Sequence, residues 1–163
     1  MTIALARQLY QVGRSHAGAA CLLYRAAVEH AAEDGAGDPI SVAFNGPNSL
    51  SITYLLGLGL ELILKAAIVA GDDSADEKYL QKEVRHDLVK ALDEAEKRGF
   101  GSEAPYLRPI LETLRDPYAK HWLRYTHPEE FALPGDFGQV VATLEIVEAE
   151  MIAILSKPEA GAG

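Results

Sequence analysis

Glu61 and Lys65 stand four residues apart in the otherwise apolar run Leu60-Glu61-Leu62-Ile63-Leu64-Lys65-Ala66. On a helix that spacing places both side chains on one face, where they form an ion pair. A charge buried in so apolar a helix needs partners, because leaving one unpaired costs about 3–5 kcal/mol. His86 and Arg124 are the sequence's candidates for them. Arg124 would add a second donor to Glu61, and histidine is the side chain that changes charge near neutral pH. Two readings follow. One is a structural polar cluster that fixes the helices against each other, with His86 stabilising the start of a helix. The other is a ligand pocket formed by Glu61, Lys65, His86 and Arg124, with Tyr125 beside it.

A second group lies between Arg108 and His127. Arg108, Arg115, Lys120 and Arg124 there face only Glu112 and Asp116, which makes it the clearly basic stretch of the chain. It also holds His121, and Tyr118, Trp122 and Tyr125 could stack on nucleic-acid bases. At helical spacing aromatic residues are more often core, and Trp122 is expected there.

Elements must position these groups. The 163 residues are 48% hydrophobic and 24% charged, with alanine and leucine dominant, a composition that favours helix. Five helical segments are predicted. The first runs from about Ile3 to Ala32, with Leu5, Leu9, Val12, Ala20, Leu23 and Ala27 on its inner face and His16 as a core histidine. Asp34 to Pro39 ends it, and a loop leads through Asn45-Gly46-Pro47-Asn48. A nearly all-apolar central helix follows to about Ala70, with a short turn of helix over 76–83. A third helix opens at Arg85-His86-Asp87-Leu88 and closes at Lys97-Arg98-Gly99. A fourth begins near Ala104 and carries Leu107, Ile110, Leu111 and Leu114. Asp116-Pro117 should kink or restart it before it reaches about Tyr125. After a loop over 126–136 the last helix spans about Phe137 to Leu155. The expectation is one domain over 1–156 and a flexible tail over 157–163.

Composition also excludes functions. Cys21 is the single cysteine, so no disulfide forms within the chain, and an inert buried thiol is expected. No Cys/His spacing suggests a metal site, and no cofactor is implied. Gly57 and Gly59 lie inside a helix rather than in a strand-turn-helix, so they are not a nucleotide fingerprint and should permit close helix packing. Gly13 and Gly18 invite the same reading. The net charge of −9 gives no general attraction to polyanions. Met1 to Arg14 carries no secretion signal, and Glu61 and Lys65 at the centre of the apolar window argue for a core helix rather than a membrane span. A cytoplasmic protein without membrane attachment is expected.

Three stretches taken together resemble the HEPN superfamily of helical bundles: Leu60 to Ala66, Arg85-His86-Asp87-Leu88-Val89-Lys90-Ala91-Leu92, and Leu123-Arg124-Tyr125. A Glu-x-x-x-Lys helix, a His-Asp-Leu helix start and a later Arg-Tyr occur there in that order. The resemblance covers roughly 48–150. It implies an all-α, four- to five-helix up-and-down bundle that often dimerises, and a setting in bacterial stress or defence, toxin–antitoxin systems included. Many such proteins cleave RNA with an arginine, an adjacent polar residue and a histidine a few residues later. Arg115-Asp116-Pro117-Tyr118-Ala119-Lys120-His121 is similar to that motif and departs from it in holding Pro117.

Arg115 would hold a phosphate, and His121 would take a proton from a ribose 2′-hydroxyl or give one to the leaving oxygen. Six residues of unbroken helix turn the chain by about 600° and leave the two on different faces. A restart at Asp116-Pro117 would change that. Otherwise Arg115 pairs with Glu112 or Asp116. The leading expectation is a HEPN-like binding or regulatory module, with RNA, a nucleotide, a protein or a second copy as partner. Its rivals are a metal-independent endoribonuclease using Arg115 and His121, and a structural interaction protein without a ligand.

Overall fold

The structure, a computed structural model, describes residues 2–46, 48–120 and 137–157. Among them are seven α-helices, one π-helical turn and no strand. The protein is an all-α helical bundle. The helices are α1 (Thr2–Glu33), α2 (Pro39–Asn45), α3 (Ser49–Gly71), α4 (Glu77–Tyr79), α5 (Leu88–Lys97), α6 (Leu107–Ala119) and α7 (Phe137–Leu155). The π-helical turn Leu80–Val84 follows α4 directly.

α3 is the axis. It is long and apolar enough to cross a membrane by length and composition, and it is mostly buried in the bundle. Leu56, Leu60, Leu64 and Ile68, spaced by four, are fully buried, and α1, α2, α5, α6 and α7 all pack on it. α1 comes closest because both helices lack side chains where they meet. A Cβ added to Gly59 would lie 2.7 Å from the Ala17 amide nitrogen, and one added to Gly13 would lie 2.8 Å from the Gly59 carbonyl oxygen. Those atoms are backbone and cannot yield. The inner stripe of α1 is therefore Ala6, Tyr10, Gly13, Ala17 and Ala20, small residues for the most part. Val12, expected inside, is exposed, and His16 is only half-buried. Gly18 meets nothing. At the far end of α1, Tyr24 stacks on Phe137 of α7 with centroids 3.8 Å apart, and Phe44 of α2 leans on both.

Two differences from the sequence reading concern Asp-Pro pairs. Asp38-Pro39, expected only to end α1, starts α2: the Asp38 side chain accepts from the Ser41 amide at 3.1 Å, and Pro39 is the first helical residue. Asp116-Pro117 does not restart α6, which runs through Pro117 to Ala119. Leu114 and Tyr118 are both buried on either side of Pro117, and that anchorage outweighs the one hydrogen bond a proline removes.

Candidate functional site

Gly57, Glu61 and Lys65 form one column on α3, each four residues from the next. Glu61 is 2% exposed. Both of its oxygens are engaged. Lys65 Nζ donates to Oε1 at 2.5 Å. The Tyr118 hydroxyl donates to Oε2 at 2.6 Å, and His86 Nδ1 lies 3.1 Å from the same oxygen. A carboxylate only accepts, so Nδ1 carries the hydrogen. The cluster is thus a buried negative charge held by a buried cation, a buried hydroxyl and a surface imidazole, for the His86 side chain is 57% exposed.

Each donor is placed by its own element. Tyr118 falls one turn after Leu114 on the buried face of α6. Its ring lies across α3 at Gly57, where a Cβ would sit 2.7 Å from the Tyr118 ring. The His86 ring meets the Tyr118 ring edge-on, with centroids 6.3 Å apart. His86 itself rides on a tight turn, closed by the Asp87 amide donating to the Val84 carbonyl at 3.4 Å. Arg85 occupies the second position of that turn at φ 55°, ψ −125°, a conformation that suits glycine and strains any other residue.

Asp87 completes the surface. One carboxylate oxygen caps α5 by accepting from the Lys90 amide at 3.0 Å. The other accepts from Arg115 NH2 at 2.8 Å and Nε at 3.2 Å. Partial burial raises the Asp87 pKa, but the Lys90 amide and the Arg115 guanidinium outweigh it, so the carboxyl lies below its ordinary range.

Glu61, Lys65 and His86 therefore do meet, as the sequence suggested. Arg124, Tyr125 and His121, along with Trp122, lie outside the described residues. Arg115 pairs with Asp87 of the neighbouring helix rather than with Glu112 or Asp116, because it projects from α6 towards the start of α5. The described cations of the basic stretch are all paired: Arg108 with Asp93 and Glu96, Arg115 with Asp87, Lys120 with Asp116. Acidic residues of α5 and its cap Asp87 supply most of that compensation, which a count along the chain cannot reveal.

Two members of the site were missed. The sequence offers Tyr118 as a base-stacking side chain, yet its place one turn after Leu114 marks it as buried, and a buried hydroxyl requires an acceptor. Asp87 enters the sequence reading only as part of the stretch that opens a helix. At the C-terminal end of α5, Arg98 joins Glu94, four residues before it, at 2.6 Å, and also the Tyr79 hydroxyl at 2.9 Å and Asp72 at 3.1 Å, two partners that spacing along the chain does not reveal. Compared with known proteins, the chain matches no protein-family model, no curated protein and no solved structure, so its family is not identified by likeness.

Proposed function

We propose that this chain is a HEPN-like bundle acting as a binding or regulatory module, of the stress or defence kind that the resemblance implies, and that its ligand surface is the turn bearing His86. The observation that carries this reading is the path from Glu61 to the surface. A carboxylate needing compensation alone would be served by Lys65 and Tyr118. Here it also fixes the tautomer and direction of an imidazole that is more than half exposed. A surface group whose geometry is set by a buried partner is organised before its ligand arrives. Arg115, held at Asp87 one residue on, adds a planar cation suited to a phosphate or carboxylate. RNA or a nucleotide fits that pair of groups.

The test is titration of a mixed-sequence RNA oligonucleotide and of ATP against the wild type, His86→Gln and Arg115→Gln. Binding should weaken roughly tenfold in each variant, the effect of losing one hydrogen bond to a charged group. Equal binding by all three proteins removes this surface from the reading.

The endoribonuclease reading rests on one further observation: Arg115 is 51% exposed although ion-paired, and so open to a phosphate. RNA incubated in chelator with the wild type and His121→Ala decides it. Cleavage by the wild type and not the variant supports the reading, and equal inactivity ends it.

A further inference from the structure

A cleft of about 330 Å³ opens between α1 and the C-terminal end of α7. Arg7, Tyr10, Gln11 and Arg14 line it from α1, and Ile152, Leu155 and Ser156 from α7. Positions 7, 10, 11 and 14 are one stripe of a helix, so Arg7, Tyr10, Gln11 and Arg14 share the face of α1 that borders a space at the lower end of the range for small-ligand pockets. Tyr10 is 7% exposed, and its hydroxyl is buried with no hydrogen-bond partner. That is an uncompensated cost, since buried hydroxyls are almost always bonded.

The two arginines are held by groups they could share or release. Arg7 donates to the Leu155 carbonyl at 3.1 Å, at the end of α7 where helix carbonyls lack partners. Arg14 pairs with Glu148 at 2.5 Å, with the Arg14 side chain 63% exposed. Tyr10 stands one turn before Arg14, so its ring and the ion pair share one face of α1. Glu148 then occupies, from within the chain, the place that an incoming anion would take on Arg14.

We propose that this cleft binds a small oxyanion, the phosphate or carboxylate group of a metabolite, with Arg14 exchanging Glu148 for the ligand, Arg7 and Gln11 flanking it, and the Tyr10 hydroxyl donating to it. The site is independent of the His86 surface, so either can fail alone.

Calorimetric titration with inorganic phosphate and, separately, with acetate, at matched ionic strength, tests it. The wild type should bind at least one of the two saturably below roughly 10 mM. Tighter phosphate binding assigns a phosphate ligand, and tighter acetate binding assigns a carboxylate. Tyr10→Phe should weaken binding roughly fivefold to tenfold and Arg14→Gln tenfold or more, from the usual worth of neutral and charged hydrogen bonds. Glu148→Gln should strengthen it, because the internal competitor has lost its charge. Absence of saturable binding to either anion overturns the proposal. So does an affinity that Tyr10→Phe, Arg14→Gln and Glu148→Gln all leave unchanged.

Discussion

Tyr118 reaches Glu61 because Gly57 has no side chain. The ring lies on the bare backbone of α3 one turn before the carboxylate it bonds, and a Cβ at residue 57 would stand 2.7 Å from the ring. Alanine is worth about 1 kcal/mol over glycine inside a helix, so propensity alone makes Gly57→Ala stabilising. The contact reverses the sign. Overpacking costs about 1–3 kcal/mol and loss of a hydrogen bond to a charged group about 1.5–3 kcal/mol. Gly57→Ala should therefore lower stability in urea by about 2–4 kcal/mol. Combined with Tyr118→Phe it should cost less than the two changes summed, since both break one bond. A stabilised Gly57→Ala protein would contradict the packing described.

Helical periodicity made most of the bundle legible, because the long helices bury continuous stripes. On α1 it found residues that pack against the core, Ala20 and, half-buried, Leu5, Leu9, Leu23 and Ala27, but it placed Val12 inside and passed over the glycine and alanine that meet α3, whose small size carries no strong apolar signal. The two Asp-Pro pairs show the same boundary from another side. One dipeptide starts α2 and the other lies inside α6, and what separates them is tertiary: Leu114 and Tyr118 anchor the turn around Pro117. At the site, Glu61 and Lys65 could be read from their apolar surroundings, and His86 from its place at a helix start. The Asp87–Arg115 pair could not, because it depends on how α5 and α6 lie together.

Burial of Glu61 and Lys65 makes each necessary to the other. Glu61→Leu leaves a buried ammonium and takes the Glu61 acceptor from the Tyr118 hydroxyl, and Lys65→Met leaves a buried carboxylate short of a cation. Each should cost about 3–5 kcal/mol. The triple change Glu61→Leu, Lys65→Met and Tyr118→Phe removes the polar atoms together, and it should be more stable than either single variant. Denaturant midpoints at constant slope would show this ordering. A triple variant less stable than both would mean that the cluster contributes net stability to the bundle.

Glu94 gives the fold a defined acid limit. Hydrogen bonds from Lys97, Tyr79 and Arg98 hold its pKa at about 2, against an ordinary 4.5. The folded state thus binds the proton less readily than the unfolded chain. Stabilisation from this network is complete above the unfolded value, and it is lost progressively as pH falls through 4.5 towards 2. Glu94→Gln should be less stable than wild type at pH 7, with the gap closing over that window. A gap that stays constant down to pH 2 would show that Glu94 is not held by charge.

Arg85 stores strain immediately before His86. At φ 55° and ψ −125° a side chain costs about 1–3 kcal/mol. Within the described residues, the bond this arginine makes in return is a long one, Nε to the Lys82 carbonyl at 3.3 Å on the surface. Glycine removes the strain and gives back part of the gain as extra freedom in the unfolded chain, about 0.5–1 kcal/mol. Arg85→Gly should accordingly stabilise the protein by about 1 kcal/mol, while Arg85→Ala, which keeps a Cβ, should not. Measured side by side in urea, the two variants separate backbone strain from loss of the guanidinium. If glycine is no better than alanine, the turn is relaxed as it stands, and residue 85 offers no sign of a constraint imposed by the His86 surface.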